Sequence, residues 1–220
     1  MKELTTTSYA ILGLLAVQPW TTYELARQME VSLHNFWPRA ERKLYEEPKK
    51  LVDHGFAEVA REMVGRRPRS LYRITAEGRR ALRQWLGEPG AMPVLEFEAL
   101  VKVFFAEQGT RGQLLATLQH IQEGAEHRQR IDARWAAYYL ATGGGFPHRA
   151  QVVTLVGKLQ AELNNTLAAW ARWAHDTVTG WPDDISQAPV PLDVLREIAT
   201  AADDDIATGT APPGYDEIRR

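Results

Sequence analysis

Between Phe56 and Ile74 the side chains alternate through Phe56-Ala57-Glu58-Val59-Ala60-Arg61, break at Gly65-Arg66-Arg67-Pro68-Arg69, and alternate again through Ser70-Leu71-Tyr72-Arg73-Ile74. A period of two belongs to pleated strands, and a turn holding Gly and Pro between two such runs specifies a hairpin. The tip of this hairpin carries Arg66, Arg67 and Arg69. Residues 61 to 83 hold eight arginines against two glutamates. A local field of that kind attracts polyanions whatever the net charge of the chain, which is −2.

The segment before the hairpin reads as a helix. Pro38 suits its first turn, where the missing amide has no helical partner anyway. Leu44, Leu51 and Val52 recur as an inner stripe, while Arg39, Arg42, Lys43, Lys49 and Lys50 project outward, and Gly55 ends the helix. Pro48 removes a backbone hydrogen bond at a cost of roughly 3 kcal/mol in an isolated helix, which predicts a kink or tightened turn between Tyr45 and Lys49. Base reading is therefore assigned to Arg39, Arg42, Lys43 and Tyr45, on the exposed face ahead of that kink, and phosphate contact to Arg66, Arg67 and Arg69. A cationic helix followed by a basic hairpin suits a major groove flanked by a wing on the phosphates. A solvated helix face and an unrelated basic turn would not explain why the two features occur together in this order.

Upstream, Thr5 to Thr7 offer N-cap hydroxyls to a first helix in which Tyr9, Ile11, Leu12, Leu14 and Leu15 are apolar almost all round, the pattern of a buried helix. Pro19 and Trp20 break it. Thr21 and Glu24 have capping-box spacing, so a second helix runs from about Thr22 to Gln28, with Met29 to Asn35 as the turn into the third. Trp20 and Trp37 are expected in this three-helix core, each with its indole N–H partnered. Thr75-Ala76-Glu77-Gly78 opens a fourth helix with Ala81, Leu82, Trp85 and Leu86 along one stripe.

Four stretches of this pattern are also similar to a known family. Thr5-Thr6-Thr7-Ser8-Tyr9-Ala10-Ile11-Leu12-Gly13-Leu14-Leu15, Thr22-Tyr23-Glu24-Leu25, Phe36-Trp37 through Tyr45 to Leu51, and Gly65-Arg66-Arg67-Pro68-Arg69 to Tyr72-Arg73-Ile74-Thr75 together resemble the PadR family of transcriptional regulators. The resemblance covers about residues 4 to 86, and the longer chain beyond looks like the branch with an extended helical C-terminal domain. It implies a mainly α fold, with an N-terminal winged helix-turn-helix (three helices plus a two-stranded wing) and an all-helical C-terminal dimerisation domain. It also implies a homodimer and a regulator, usually a repressor, often released from DNA by a small molecule. Proline at position 48 is similar to a variant within the family, where other members carry a helix former. Thr22, Tyr23, Lys49, Lys50 and Ser70 complete the DNA-contacting set.

Gly87 to Pro93, with two prolines and two glycines, reads as a linker. The expected division is residues 1–87 for the DNA-binding domain, 88–93 for the linker, 94–182 for a helical dimerisation and effector domain, and 183–220 for an acidic, partly flexible tail. Leu95, Phe97, Leu100, Val101, Phe104 and Phe105 form a broad apolar surface of one helix. A longer helix from about Thr110 to Leu140 carries Leu114, Leu118, Ile121 and Ala125, then Trp135, Tyr138 and Tyr139. Gly143-Gly144-Gly145 lacks the following Lys-Ser or Lys-Thr of a phosphate loop and reads as a hinge. From about Pro147 to Val178, Val152, Val156, Leu159, Leu163, Leu167, Trp170 and Ala174 recur at steps of three and four, a seam that wants a partner helix. Val152 through Trp170 on this seam form the expected dimer interface. Trp85, Phe104, Phe105, Trp135, Tyr138 and Tyr139 either join the dimer core, the favoured reading, or line an apolar effector pocket. A short helix around Leu192 to Ala201 precedes the final residues, which hold Asp203-Asp204-Asp205 and Pro212-Pro213-Gly214.

The remaining features narrow the function. With 220 residues, 45% of them hydrophobic, the chain can bury one or two cores, and with no cysteine it has neither disulfides nor thiolate chemistry. His120, Glu123 and His127 share a helical face, but a third strong ligand is not evident, so they read as exposed polar positions rather than a metal site. No G-x-S-x-G elbow or dinucleotide fingerprint occurs, so neither catalysis nor a cofactor is expected. No apolar run approaches membrane-spanning length and Met1-Lys2-Glu3 leads straight into folded pattern, so the expected location is cytoplasmic. Residues 1–93 carry a formal charge of +4 and residues 94–220 one of −6. The expected partners are double-stranded DNA, a second copy of the chain and a small aromatic ligand. A constitutive DNA-binding regulator without effector and a helical adaptor whose basic face meets an acidic protein are the alternatives.

Overall fold

Thr5 and Ser8 start the first helix reciprocally. The Ser8 amide donates to Thr5 Oγ1 at 3.2 Å and the Thr5 amide to Ser8 Oγ at 3.0 Å, which satisfies two of the amides a helix start leaves unpaired. The helix that follows, α1 (Thr6–Val17), buries Ile11, Leu12, Leu14 and Leu15. It belongs to a computed structural model that describes residues 4–38, 41–64 and 67–200, with backbone alone at 41–43, 63–64, 67–68 and 200. Contacts divide the chain into two units, Met1–Val94 and Leu95–Arg220.

After α1, a two-residue strand β1 (Trp20–Thr21) leads into α2 (Thr22–Ser32), whose N-terminus is closed by the Thr21–Glu24 capping box expected from the spacing. The helix runs past Gln28, its expected end, because Met29 is buried in the core and Leu33 still donates to the Met29 carbonyl at 2.9 Å. Next, α3 (Glu41–Asp53) is one continuous α-helix through Pro48. The residues from Tyr45 to Lys49, where a kink or tightened turn is expected, stay within the helix. Leu44, Glu47, Pro48 and Leu51 are all buried, and Glu47 accepts a hydrogen bond from Ser8 of α1, so tertiary packing offsets the lost backbone bond. Gly55, at φ +76°, turns the chain out of α3 while its own amide donates to Val52 and that of Phe56 donates to Leu51, each at 2.9 Å. That double bond around a left-handed glycine is a Schellman cap.

Strands β2 (Ala57–Val64) and β3 (Arg67–Ile74) pair antiparallel from Ala57↔Ile74 to Val64↔Arg67, so the expected hairpin is present, but its strands are longer than expected and Arg67, Pro68 and Arg69, assigned to the turn, pair within β3. The sheet has a third member that the two-stranded reading missed: β1 pairs with β3 at Trp20↔Tyr72, giving the order β1-β3-β2. Then α4 (Ala76–Leu86) is capped by Thr75, whose Oγ1 accepts the Gly78 amide at 3.1 Å. The first core gathers Ile11, Leu12, Leu15, Leu25, Met29, Leu44, Leu51, Ala57 and Tyr72, with Trp20 and Trp37 packed against it as expected. Both indoles keep a polar partner, Trp20 Nε1 on the Leu14 carbonyl at 2.9 Å and Trp37 Nε1 on Thr7 Oγ1 at 3.2 Å. Leu82 joins this core and Trp85 stacks on Tyr9 at 4.8 Å, whereas Leu86, expected on the same stripe, is exposed because α4 ends there.

The second unit contains α5 (Glu98–Phe104), α6 (Arg111–Thr142), α7 (Ala150–Thr179) and α8 (Leu192–Thr200). The single helix expected to carry Leu95 through Phe105 is shorter, and Leu95 and Phe105 lie outside it. Antiparallel α6 and α7 share one core, in which Leu114, Leu118 and Ile121 meet Ala171, Ala174 and Val178. Farther along the pair, polar contacts replace apolar ones: Asn164 donates to Asp132 at 2.7 Å and Gln129 to Asn165 at 2.8 Å. Gly143 and Gly144 adopt φ of +75° and +73°, the left-handed conformation that lets the chain reverse there.

Candidate nucleic-acid interface

The surfaces of the first unit expected to meet a polyanion are the start of α2, the outer face of α3 and the hairpin; α4 exposes Arg79, Arg80 and Arg83 as well. On α2, Tyr23 is exposed and Thr22 half-buried; on α3, Lys49 and Lys50 are exposed. Tyr45, expected on the open face, is half-buried against the first core, since the helix turns that position toward α1 and α2 when Leu44 and Pro48 pack inward. Arg39 and Arg66 lie outside the described residues. The backbones of Arg42 and Lys43 are in α3 and that of Arg67 is in β3, while their side chains lie outside the described residues. Arg69 and Ser70 are exposed on β3.

The hairpin carries a charge cluster that sequence reasoning did not nominate. Glu62 of β2 stands directly across from Arg69 of β3. Its carboxylate takes Arg73 Nη2 at 2.9 Å and Arg69 Nη2 at 3.6 Å. The expected turn, residues 65–69, hid this pair; pairing Val64 with Arg67 puts Glu62 opposite Arg69, and directly opposed residues share a face. Nearby, the Thr21 amide and hydroxyl both donate to Glu24 and hold its carboxyl below the usual glutamate range, with the Arg69 charge adding to the effect.

Other candidate residues are placed less simply. Of the expected dimer seam, Val152, Val156, Leu159 and Leu163 are exposed, while Leu167 and Trp170 already pack on the α6–α7 core. Leu155 adds a further exposed apolar side chain to this stretch of α7. The five aromatics of the second unit considered for an effector are not gathered. Trp85 belongs to the first unit, stacked on Tyr9. Phe104 and Phe105 touch edge to face at the end of α5, a helix that packs beside Leu114 and Leu118 near the start of α6. Trp135, Tyr138 and Tyr139 form a second edge-to-face chain farther along α6, about 25–38 Å away at 1.5 Å of rise per residue. Among the described residues, no three His, Cys, Asp or Glu side chains gather to hold a metal ion, His120, Glu123 and His127 included. No helix among them is long and apolar enough to cross a membrane.

Three helices followed by a β-hairpin, with the third helix and the hairpin both presenting cations, define a winged helix-turn-helix. Residues 11–84 match the transcriptional regulator PadR-like family. The negative transcriptional regulator PadR of Bacillus subtilis (strain 168) is 30% identical over 99 residues, which are 44% of this chain and 54% of that protein, so the chain spans about half the length of this relative. Among solved structures, Bacillus subtilis PadR in complex with operator DNA aligns with a TM-score of 0.71 at 21% identity, covering 79% of this chain and 99% of that one. The same protein in complex with p-coumaric acid aligns at 0.62 and 20% identity, covering 80% and 99%. The Vibrio cholerae virulence activator AphA aligns at 0.56 and 20% identity and covers 90% of this chain and 100% of its own. At these identities the structural likeness is one of fold.

Proposed function

We propose that the chain is a homodimeric transcriptional repressor that binds double-stranded DNA through its N-terminal unit and is released by a small apolar or aromatic molecule. The observation that carries this reading is the pairing, on one unit of PadR-like sequence, of an α3 that exposes Lys49 and Lys50 with a hairpin that exposes Arg69. In this reading α3 enters the major groove and Arg39, Arg42 and Lys43 face base edges, while Arg66, Arg67 and Arg69 grip phosphates; Tyr45, half-buried against the first core, is left out of the base-reading set. Two units related by a two-fold axis would set their reading helices about 34 Å apart, one DNA turn. The exposed Val152, Val156, Leu159 and Leu163 supply an apolar surface for the second copy. Repression is supported by the relative described as a negative regulator, and release by the PadR structure solved with p-coumaric acid.

The test is a salt titration of affinity for a cognate and a scrambled duplex. Arg67→Ala should weaken both alike and lower the salt slope by about one per site. Arg42→Ala should cost about 1–3 kcal/mol on the cognate duplex and much less on the scrambled one. The opposite pattern reverses the roles of helix and wing, and a protein that binds neither duplex defeats the reading. Dispersal of the five aromatics within the second unit favours a second reading for regulation alone, constitutive binding without an effector. A panel of planar aromatic acids that neither quenches tryptophan fluorescence nor changes DNA affinity would establish it.

A further inference from the structure

We propose that Glu62 is a specificity-determining residue, which holds Arg69 and Arg73 in fixed orientations and cancels part of their charge, so that indiscriminate binding to phosphate is suppressed more than binding to the correct site. The inference rests on the DNA-binding reading above. The register puts Glu62 opposite Arg69, and Arg73 lies on the same face of β3 four residues along. The face behind them carries Ala57, Tyr72 and Ile74 into the first core, and on the cluster's own face Leu71, between Arg69 and Arg73, is buried while the three charged side chains stay partly exposed. Each carboxylate oxygen has its own guanidinium, with Oε1 to Arg73 at 2.9 Å and Oε2 to Arg69 at 3.6 Å. The three side chains are 37% to 43% exposed, open enough to meet a ligand and still in contact with one another.

The two kinds of complex feel this arrangement differently. Binding to arbitrary DNA depends on the number of cations that displace counterions, whatever their exact direction. Two guanidinium groups tied to one carboxylate act there as no more than a single net positive charge, and Glu58, directly across from Arg73, and Glu24, near Arg69, lower it further. A correctly seated duplex instead uses directed bonds to particular phosphates. Each guanidinium has five N–H donors, so those not facing Glu62 stay available, already pointed and with little freedom left to lose. Removing the Glu62 charge therefore adds a mobile cation to every complex and takes preorganisation away from the correct one.

The experiment measures the full chain by fluorescence anisotropy against two duplexes over a range of salt, one selected by the native protein from a randomised library and one its scrambled counterpart. Glu62→Gln keeps the length of the side chain and one acceptor, and unchanged thermal unfolding checks that the hairpin persists. It should bind the scrambled duplex about fivefold to tenfold more tightly, with a salt slope steeper by about one, and change affinity for the selected duplex less than about twofold. Adding Arg73→Gln restores the net charge of the cluster and should return scrambled binding to the native level while selected binding falls. The proposal is overturned if Glu62→Gln shifts both duplexes by one factor, or if the double variant keeps the tighter scrambled binding. A native protein that binds neither duplex defeats the DNA-binding reading itself, which is a separate outcome because it needs no variant.

Discussion

Gly78 to Ala should destabilise the first unit although it replaces glycine by the best helix former. Gly78 lies in the first turn of α4, and a methyl group built on it would overlap the Phe56 carbonyl oxygen and stand 2.9 Å from Ile74 Cγ1. Flexible side chains can swing away from such a contact, but this obstacle is backbone. The Phe56 carbonyl already accepts the Thr75 amide at 3.1 Å, the Phe56 amide donates to Leu51 at 2.9 Å, and Thr75 Oγ1 donates to the Gly55 carbonyl at 2.7 Å. Overpacking a tight site costs about 1–3 kcal/mol, at the upper end where backbone must shift. Loss of the Thr75–Phe56 bond adds about 1 kcal/mol, and helix propensity returns about 1 kcal/mol. The expected net loss is thus about 2–3 kcal/mol. Gly124 to Ala is the matched control: that glycine is exposed in α6 with nothing within 4 Å of a built methyl. It should gain about 0.5–1 kcal/mol. Urea unfolding followed by circular dichroism compares the two midpoints. If Gly78→Ala moves the midpoint upward as Gly124→Ala does, the close approach of α4 to the start of β2 does not constrain the fold and the reasoning fails.

Ser8→Ala leaves the buried Glu47 carboxylate without the hydroxyl that faces it across the α1–α3 contact, and should lower stability by about 1–3 kcal/mol in the same urea assay; a neutral result would show that water or Lys50 replaces the bond at no cost. Glu24 has a carboxyl held low by the Thr21 amide and hydroxyl, so its contribution is complete above the ordinary glutamate range and is lost as pH falls through the lower folded value. Glu24→Gln should therefore cost most near about pH 7 and converge with the native protein toward about pH 3, and an equal deficit at both would contradict the capping assignment. Leu159→Asp with Leu163→Asp alters two side chains that are 58% and 60% exposed, so helix content should stay as it is while light scattering reports a monomer in place of a dimer; an unchanged mass would remove α7 from the interface.

The starts of α1, α2, α4 and α6 were legible in the sequence because Thr5, Thr21, Thr75 and Thr110 each bond an amide three residues on, a relation contained in one turn of chain. The hairpin was legible for a similar reason, a turn holding Gly and Pro between two runs of period two, though its register was not, since Arg69, expected in the turn, pairs within β3; Gly55 announced the end of α3 by the one conformation glycine adopts freely. For the site, the cations of helix and wing were visible as a pattern, and the family resemblance agreed with the match over residues 11–84.

What the sequence could not contain were relations between residues far apart in it. Pairing of Trp20 with Tyr72 makes a strand from two residues with no strand signal of their own, because the edge of β3 supplies the partner. Tyr45 is half-buried because Leu44 and Pro48 pack inward, and Pro48 sits in an unbroken helix because burial and the Ser8–Glu47 contact outweigh a local penalty. On α7 one uninterrupted seam divides in two: Ala168, Ala171 and Ala174 are small enough for α6 to come close, whereas Val152 through Leu163 remain exposed. Local bonds and periodicity are written along the chain, and they determined the helix starts, the hairpin and the basic surface. The strand beside it, the depth of each side chain and the pairing of Glu62 with Arg69 and Arg73 depended on which distant residues met, and only the tertiary structure decided those.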